Sequence, residues 1–120
     1  MKDNLILQKS YDFSLRIIEL YKFLCEDKKE YVLSKQLLRA GTSIGANVNE
    51  AQAGMSKKDF VAKMSIASKE ARETRYWLEL LADSGYISKT DNKIKNLFEE
   101  IESIISILTK IVKIGASNGK

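Results

Sequence analysis

The chain has 120 residues, 44% hydrophobic and 30% charged, with net charge +4, no histidine, no proline and one cysteine. That length makes one domain, residues 1–120, without the usual neutral-pH general base or the commonest metal ligand. A lone thiol forms no intrachain disulfide, and the basic excess is spread too thinly to mark a nucleic-acid-binding tract by itself.

The opening residues, MKDNLILQKSYDF, have an acid at position 3 and only three consecutive apolar residues, so no signal peptide is expected. A first helix follows, with Leu7, Tyr11, Ser14, Ile18, Tyr21 and Cys25 spaced 4-3-4-3-4 as its core stripe. Ile6, Phe13, Ile17, Leu20 and Leu24 widen that apolar face. Asp27-Lys28-Lys29-Glu30 has capping-box form, though no glycine marks the end of the first helix. The second helix is expected from about Glu30 to Ala53, with Leu33, Leu37, Ala40, Ile44, Val48 and Ala51 on one face.

Within that helix, the run LRAGTSIGANVNEAQAG (38–54) puts small and polar residues where a core helix carries Leu or Ile. Gly41 and Gly45 lie one turn apart. Two interior glycines cost on the order of 2 kcal/mol relative to alanine, and close approach of a neighbouring helix is the expected offset. Arg39, Ser43, Asn47 and Glu50 form a polar ridge at 4-4-3 spacing. On one reading, Asn47 and Glu50 bond across to Lys63 or Arg72 of the third helix and fix register. On the other, the ridge lines a ligand or partner cavity in an oligomer.

Gly54 is expected to stop the second helix in a left-handed conformation. Ser56-Lys57-Lys58-Asp59 then caps the third, with Met55 and Phe60 as a hydrophobic staple. Phe60, Met64, Ala67, Ala71, Thr74, Leu78 and Leu81 form its core stripe. Arg72, Arg75, Tyr76 and Trp77 bring cations and aromatics together on this helix. They suit stacking on unpaired bases, a partner contact anchored by Trp77, or plain packing with the arginines paired to Glu73 and Glu79. The segment NEAQAGMSKKDFVAKM imitates a helix-turn-helix. Its flanking helices run too long, and Asn49 and Glu50 stand where that motif wants apolar or small residues.

Gly85 ends the third helix and Ser88-Lys89-Thr90-Asp91 begins the fourth. Its stripe is Ile94, Leu97, Ile101, Ile104, Leu108 and Ile111, widened by Phe98, Ile105 and Val112, with Ile107 and Ile114 further round. Residues 116–120 are expected to fray. Four helices of ~24–28 residues joined by short links predict an all-α, antiparallel up-down-up-down four-helix bundle. The wide faces of the first and fourth helices predict a subunit interface, with Trp77, Phe98, Ile105 and Val112 as anchors.

Catalytic chemistry is missing. Without histidine, a di-iron centre would have to be all carboxylate, and Glu99, Glu100 and Glu102 read as a solvated face. No phosphate loop, nucleophile elbow or zinc spacing occurs, and no apolar run approaches a membrane span. The expectation is a cytoplasmic, non-enzymatic protein with no cofactor and no metal.

Arg39, Ser43-Ile44-Gly45-Ala46-Asn47, Glu50-Ala51, Lys57-Lys58-Asp59-Phe60, Glu70 and Trp77-Leu78 together carry a resemblance. Across Gln36 to Leu81, and more weakly through both flanking helices, the chain resembles the four-helix bundle proteins also called 23S rRNA intervening-sequence proteins. That resemblance implies an antiparallel bundle assembling into a homopentamer, with no catalytic residues. The accessory protein of diversity-generating retroelements is similar, and it binds nucleic acid and a reverse transcriptase. Two functions follow as expectations. In one, an oligomer binds RNA or DNA through Lys35, Arg39, Lys63, Lys69, Arg72 and Arg75, repeated by symmetry. In the other, it is a protein-interaction scaffold whose basic residues only solvate it.

Overall fold

The computed structural model describes residues 2–118 as four helices: α1 (Lys2–Glu26), α2 (Leu33–Ala51), α3 (Lys57–Asp83) and α4 (Asn92–Asn118). The links 27–32, 52–56 and 84–91 are too short to run back along a helix of 27 residues, about 40 Å. Consecutive helices are therefore antiparallel neighbours, and α1 closes the ring against α4. The resulting bundle measures 48 × 22 × 21 Å. Its core is made of stripes at helical spacing. Leu37, Ala40, Ile44, Val48 and Ala51 of α2 meet Met64, Ala67, Ala71, Leu78 and Leu81 of α3, with Leu97, Ile101, Ile104 and Leu108 of α4 behind them.

In α1 the stripe differs from the sequence expectation by one residue. Ile6, Ser10, Phe13, Ile17, Leu20 and Leu24 are the buried set, while Tyr11 is 61% exposed and Leu7, Ile18, Tyr21 and Cys25 are half-buried. Both sets repeat at helical spacing, so periodicity alone does not choose between them. The larger and more uniformly apolar set turns inward, as transfer free energy favours. Small residues of α2 let α1 come close. A Cβ on Gly41 would stand 2.9 Å from Ile17 Cγ2, and one on Gly45 would stand 3.3 Å from the Ser10 carbonyl oxygen.

The helix ends also depart from expectation in places. Helix α2 is shorter than expected, 19 residues, and begins at Leu33. Gly54 is not left-handed. The turn tightens instead, with the Gln52, Ala53 and Gly54 N–H groups donating to the carbonyls of Asn49, Glu50 and Ala51. No staple forms, because Met55 is 94% exposed. Ser56 does cap α3, its hydroxyl accepting from the Asp59 N–H at 3.1 Å. Gly85, at φ +89°, ends α3. Its N–H donates to the Ala82 carbonyl and that of Tyr86 to the Leu81 carbonyl, the Schellman pattern. Asp91 then caps α4 by accepting from the N–H groups of Lys93 and Ile94. Helix α4 continues through Asn118 instead of fraying at 116, and residues 119–120 lie outside the described residues.

Glu30 is the true cap of α2, in place of a box opening at Asp27. One carboxylate oxygen accepts from the Val32 and Leu33 N–H groups at 3.2 and 3.0 Å, the other from the Ser34 N–H at 2.7 Å. Lys29 makes this turn possible by adopting φ 55°, which L-residues other than Asn and Asp rarely take. Lys29→Gly is expected to stabilise the bundle by about 0.5–1 kcal/mol, since glycine removes a penalty of ~1–2 kcal/mol but adds unfolded-state freedom. Lys29→Val is expected to destabilise it. Urea midpoints of the two variants measure the difference, and a glycine midpoint at or below that of the unmodified chain would contradict stored strain at Lys29.

Candidate nucleic-acid interface

Helix α3 carries most of the cations that the sequence singles out, and its pitch sorts them. With Ala67, Ala71, Thr74 and Leu78 inward, residues 63, 70, 73 and 77 fall toward α2 and residues 72 and 75 toward α4. The α2 seam is neutralised. Arg39 pairs with Glu70 at 3.3 Å and with Glu73, and Lys63 pairs with Glu50 at 2.9 Å. Glu73 also accepts from Trp77 Nε1 at 3.0 Å. Arg39 is half-exposed, so these pairs add little to stability, but together they fix the α2–α3 register and hold the indole in place.

At the α4 seam, Arg75 pairs with Glu102 at 2.9 Å, while Arg72 donates to the Thr109 hydroxyl at 3.0 Å. Arg72 therefore keeps its full charge uncompensated by any carboxylate among the described residues. Lys69 is exposed beyond either seam, and Lys35 is exposed on α2, one turn before Arg39. The six cations are thus divided between two seams and the outer surface. Glu79 pairs with Lys89, not with an arginine of α3.

The outer face of α3 holds an arrangement that the sequence reading did not single out. Lys58, Lys69, Arg72 and Tyr76 follow one another at spacings of 11, 3 and 4, which brings them onto one solvent-facing line. Among the described residues, none of the three cations is in an ion pair with a carboxylate. Tyr76 is 58% exposed, its ring meeting Trp77 edge-on at 5.0 Å between centroids. The sequence signal was present in Arg72, Arg75, Tyr76 and Trp77. What it lacked was the side-chain pairing, in which Trp77 donates to Glu73 and the Tyr76 ring is left exposed.

The polar ridge of α2 is divided too. Asn47 Nδ2 donates within its own helix, to the Ser43 carbonyl at 2.9 Å and the Ser43 hydroxyl at 3.1 Å. Only Arg39 and Glu50 of that ridge reach α3. The remaining anchor residues are occupied within the subunit. Ile105 is buried, Val112 packs against the core, and Phe98 lies beneath the Lys89 ammonium at 4.8 Å. Glu99, Glu100 and Glu102 do not converge, since Glu100 pairs with Lys9 and Glu102 with Arg75. Among the described residues, no three His, Cys, Asp or Glu side chains come together as metal ligands. No helix there is long and apolar enough to cross a membrane.

Known proteins share this architecture. A crystal structure of a protein with unknown function from the S23 ribosomal protein family, from Bacteroides thetaiotaomicron VPI-5482, is 48% identical to the chain. It superposes with a TM-score of 0.89, covering 94% of this chain and 99% of that one. Comparison with curated proteins finds no match. The family model described as 23S rRNA-intervening sequence protein matches residues 2–110. A match over nearly the whole chain, on the same four-helix architecture, means that this protein belongs to the 23S rRNA-intervening sequence protein family.

Proposed function

We propose that this protein is a cytoplasmic, non-enzymatic, self-associating accessory that binds RNA or DNA through the outer face of α3. The observation that carries the reading is the line Lys58, Lys69, Arg72 and Tyr76, where uncompensated cations flank an exposed aromatic ring. Cations meet phosphates, and the tyrosine face suits an unpaired base. A net charge of +4 per chain is modest, but an oligomer, pentameric as the family resemblance implies, repeats it on each subunit.

The test is a titration into fluorescent structured RNA and single-stranded DNA at low and near-physiological salt. The unmodified chain is expected to bind at micromolar concentration or tighter, with affinity falling steeply as salt rises. Lys69→Glu combined with Arg72→Glu should lower that affinity at least tenfold while leaving helicity and assembly intact. Binding unchanged in the double variant would remove α3 from the interface. Absence of binding at low salt would favour a protein-interaction scaffold instead.

A further inference from the structure

A cleft of about 930 Å³ lies between the second half of α1, the 84–91 link and the first turns of α4. Its floor is the core itself. Leu20, Ile87, Ile94 and Leu97 line it and keep 6%, 8%, 8% and 4% of their surface exposed, while Ile17, Leu24 and Ile101 on the same stripes keep none. Phe23, 39% exposed, adds an aromatic wall.

Three cations also line the cleft, Arg16, Lys28 and Lys93. Among the described residues, none of them pairs with a carboxylate. Of the two acids there, Glu19 is exposed, and Asp91 Oδ1 is taken by the Lys93 and Ile94 N–H groups. The helix register sharpens this excess. Lys9 pairs with Glu100 across the α1–α4 seam at 2.9 Å. Two turns further along α1, and two turns back along α4, the same antiparallel register sets Arg16 opposite Lys93. A seam that closes on an ion pair at one level thus faces cation with cation at the next, where the cleft is. Like charges so placed repel, and an anion between them turns that repulsion into attraction.

We propose that this cleft binds a small organic anion with an apolar body. The body rests on Leu20, Ile94 and Leu97, and the anionic group meets Arg16 and Lys93. Small-molecule sites occupy roughly 300–1,000 Å³, with mostly apolar linings and a few convergent polar groups. Arg16 is half-buried, and its planar fork of donors matches a carboxylate, sulfonate or phosphate. A bare inorganic anion would leave the apolar floor uncovered, and a neutral apolar molecule would leave the facing cations unopposed. Only a ligand with both parts answers both features. The site uses no cation of the α3 line, so it stands or falls separately from the nucleic-acid reading.

Fluorescence titration of the full chain with anilinonaphthalene sulfonate tests this, beside N-phenylnaphthylamine, which has the same rings without the sulfonate. The sulfonate should saturate one site per chain at tens of micromolar, and the neutral probe should bind about tenfold more weakly or less. Arg16→Gln combined with Lys93→Gln should weaken the sulfonate by about tenfold or more, with helicity unchanged by circular dichroism. Lys69→Glu combined with Arg72→Glu should leave its affinity unchanged. Absence of a saturable site would overturn the proposal, as would equal binding of the two probes. Affinity that survives the Arg16 and Lys93 substitutions, or falls equally with those on α3, would overturn it too.

Discussion

Truncating Phe13 to alanine is expected to cost the folded bundle about 3–5 kcal/mol, enough to unfold much of the population of a marginally stable domain. Phe13 is 1% exposed and lies on the inner line of α1 with Ile6, Ile17, Leu20 and Leu24, so its removal leaves a cavity between packed helices. Phe23, on the same helix, is 39% exposed and borders a cleft open to solvent. The same truncation there is expected to cost about 1 kcal/mol, from partial loss of transfer free energy without an enclosed void. Urea denaturation of the two variants gives both values. Equal losses, or a larger loss at Phe23, would mean that α1 presents another face to the core.

That comparison touches the one stripe that periodicity alone could not phase. In α2, α3 and α4, the line expected from helical spacing supplies the buried positions, among them Ile44, Leu78 and Ile101. In α1, two apolar lines lie one residue apart, about 100° on the helix, and each has its own claim to the interior. Tyr11 and Ile18 satisfy the pattern as well as Phe13 and Ile17 do. Composition distinguishes them, since one line is more uniformly apolar and the other carries two tyrosines and a cysteine.

Glu30→Ala is expected to cost about 2–3 kcal/mol at neutral pH, because it strips three backbone N–H groups of their acceptor at the start of α2. The charge also sits where the helix dipole favours an anion. Glu30 is 8% exposed. Burial pushes its carboxyl up, but the N–H groups of Leu33, Ser34 and Val32, with the Ser34 hydroxyl, outweigh it and hold it below the usual glutamate value. A carboxylate depressed on folding contributes stability that is present above its unfolded value and is lost as pH falls through the folded one. Glu30→Gln keeps an acceptor and removes the titration. The unmodified chain should exceed that variant in stability at pH 7, and the gap should narrow as pH drops below about 4.5. A gap that stays constant from pH 7 to pH 3 would mean that the charge of Glu30 contributes nothing.

The candidate interface was legible in kind but not in position. Composition and spacing pointed to basic residues of α3, and helical geometry alone separates Arg72 from Lys63. What the sequence withheld was the register between helices. Arg39 meets Glu70 and Glu73, and Lys63 meets Glu50, because α2 and α3 run antiparallel with a particular offset. A shift of one turn would exchange these partners and leave a different set of cations free. The exposure of Tyr76 and the position of Trp77 beside Glu73 follow instead from the rotation of α3 that buries Ala71, Thr74 and Leu78.

The seam between α1 and α4 has a consequence for the order in which the ring can close. Every other neighbouring pair is joined by a link of eight residues or fewer, whereas Lys9 and Glu100 meet across 91 positions of chain. Bringing together the ends of so long a loop removes roughly 4 kcal/mol of chain entropy, well above the closure of a five-residue link. The hairpins α1–α2, α2–α3 and α3–α4 can each form from local encounters, the topology associated with rapid folding. Chain entropy therefore favours hairpin formation before the first and last helices meet, and their seam is the edge whose parting least disrupts the remaining hairpins.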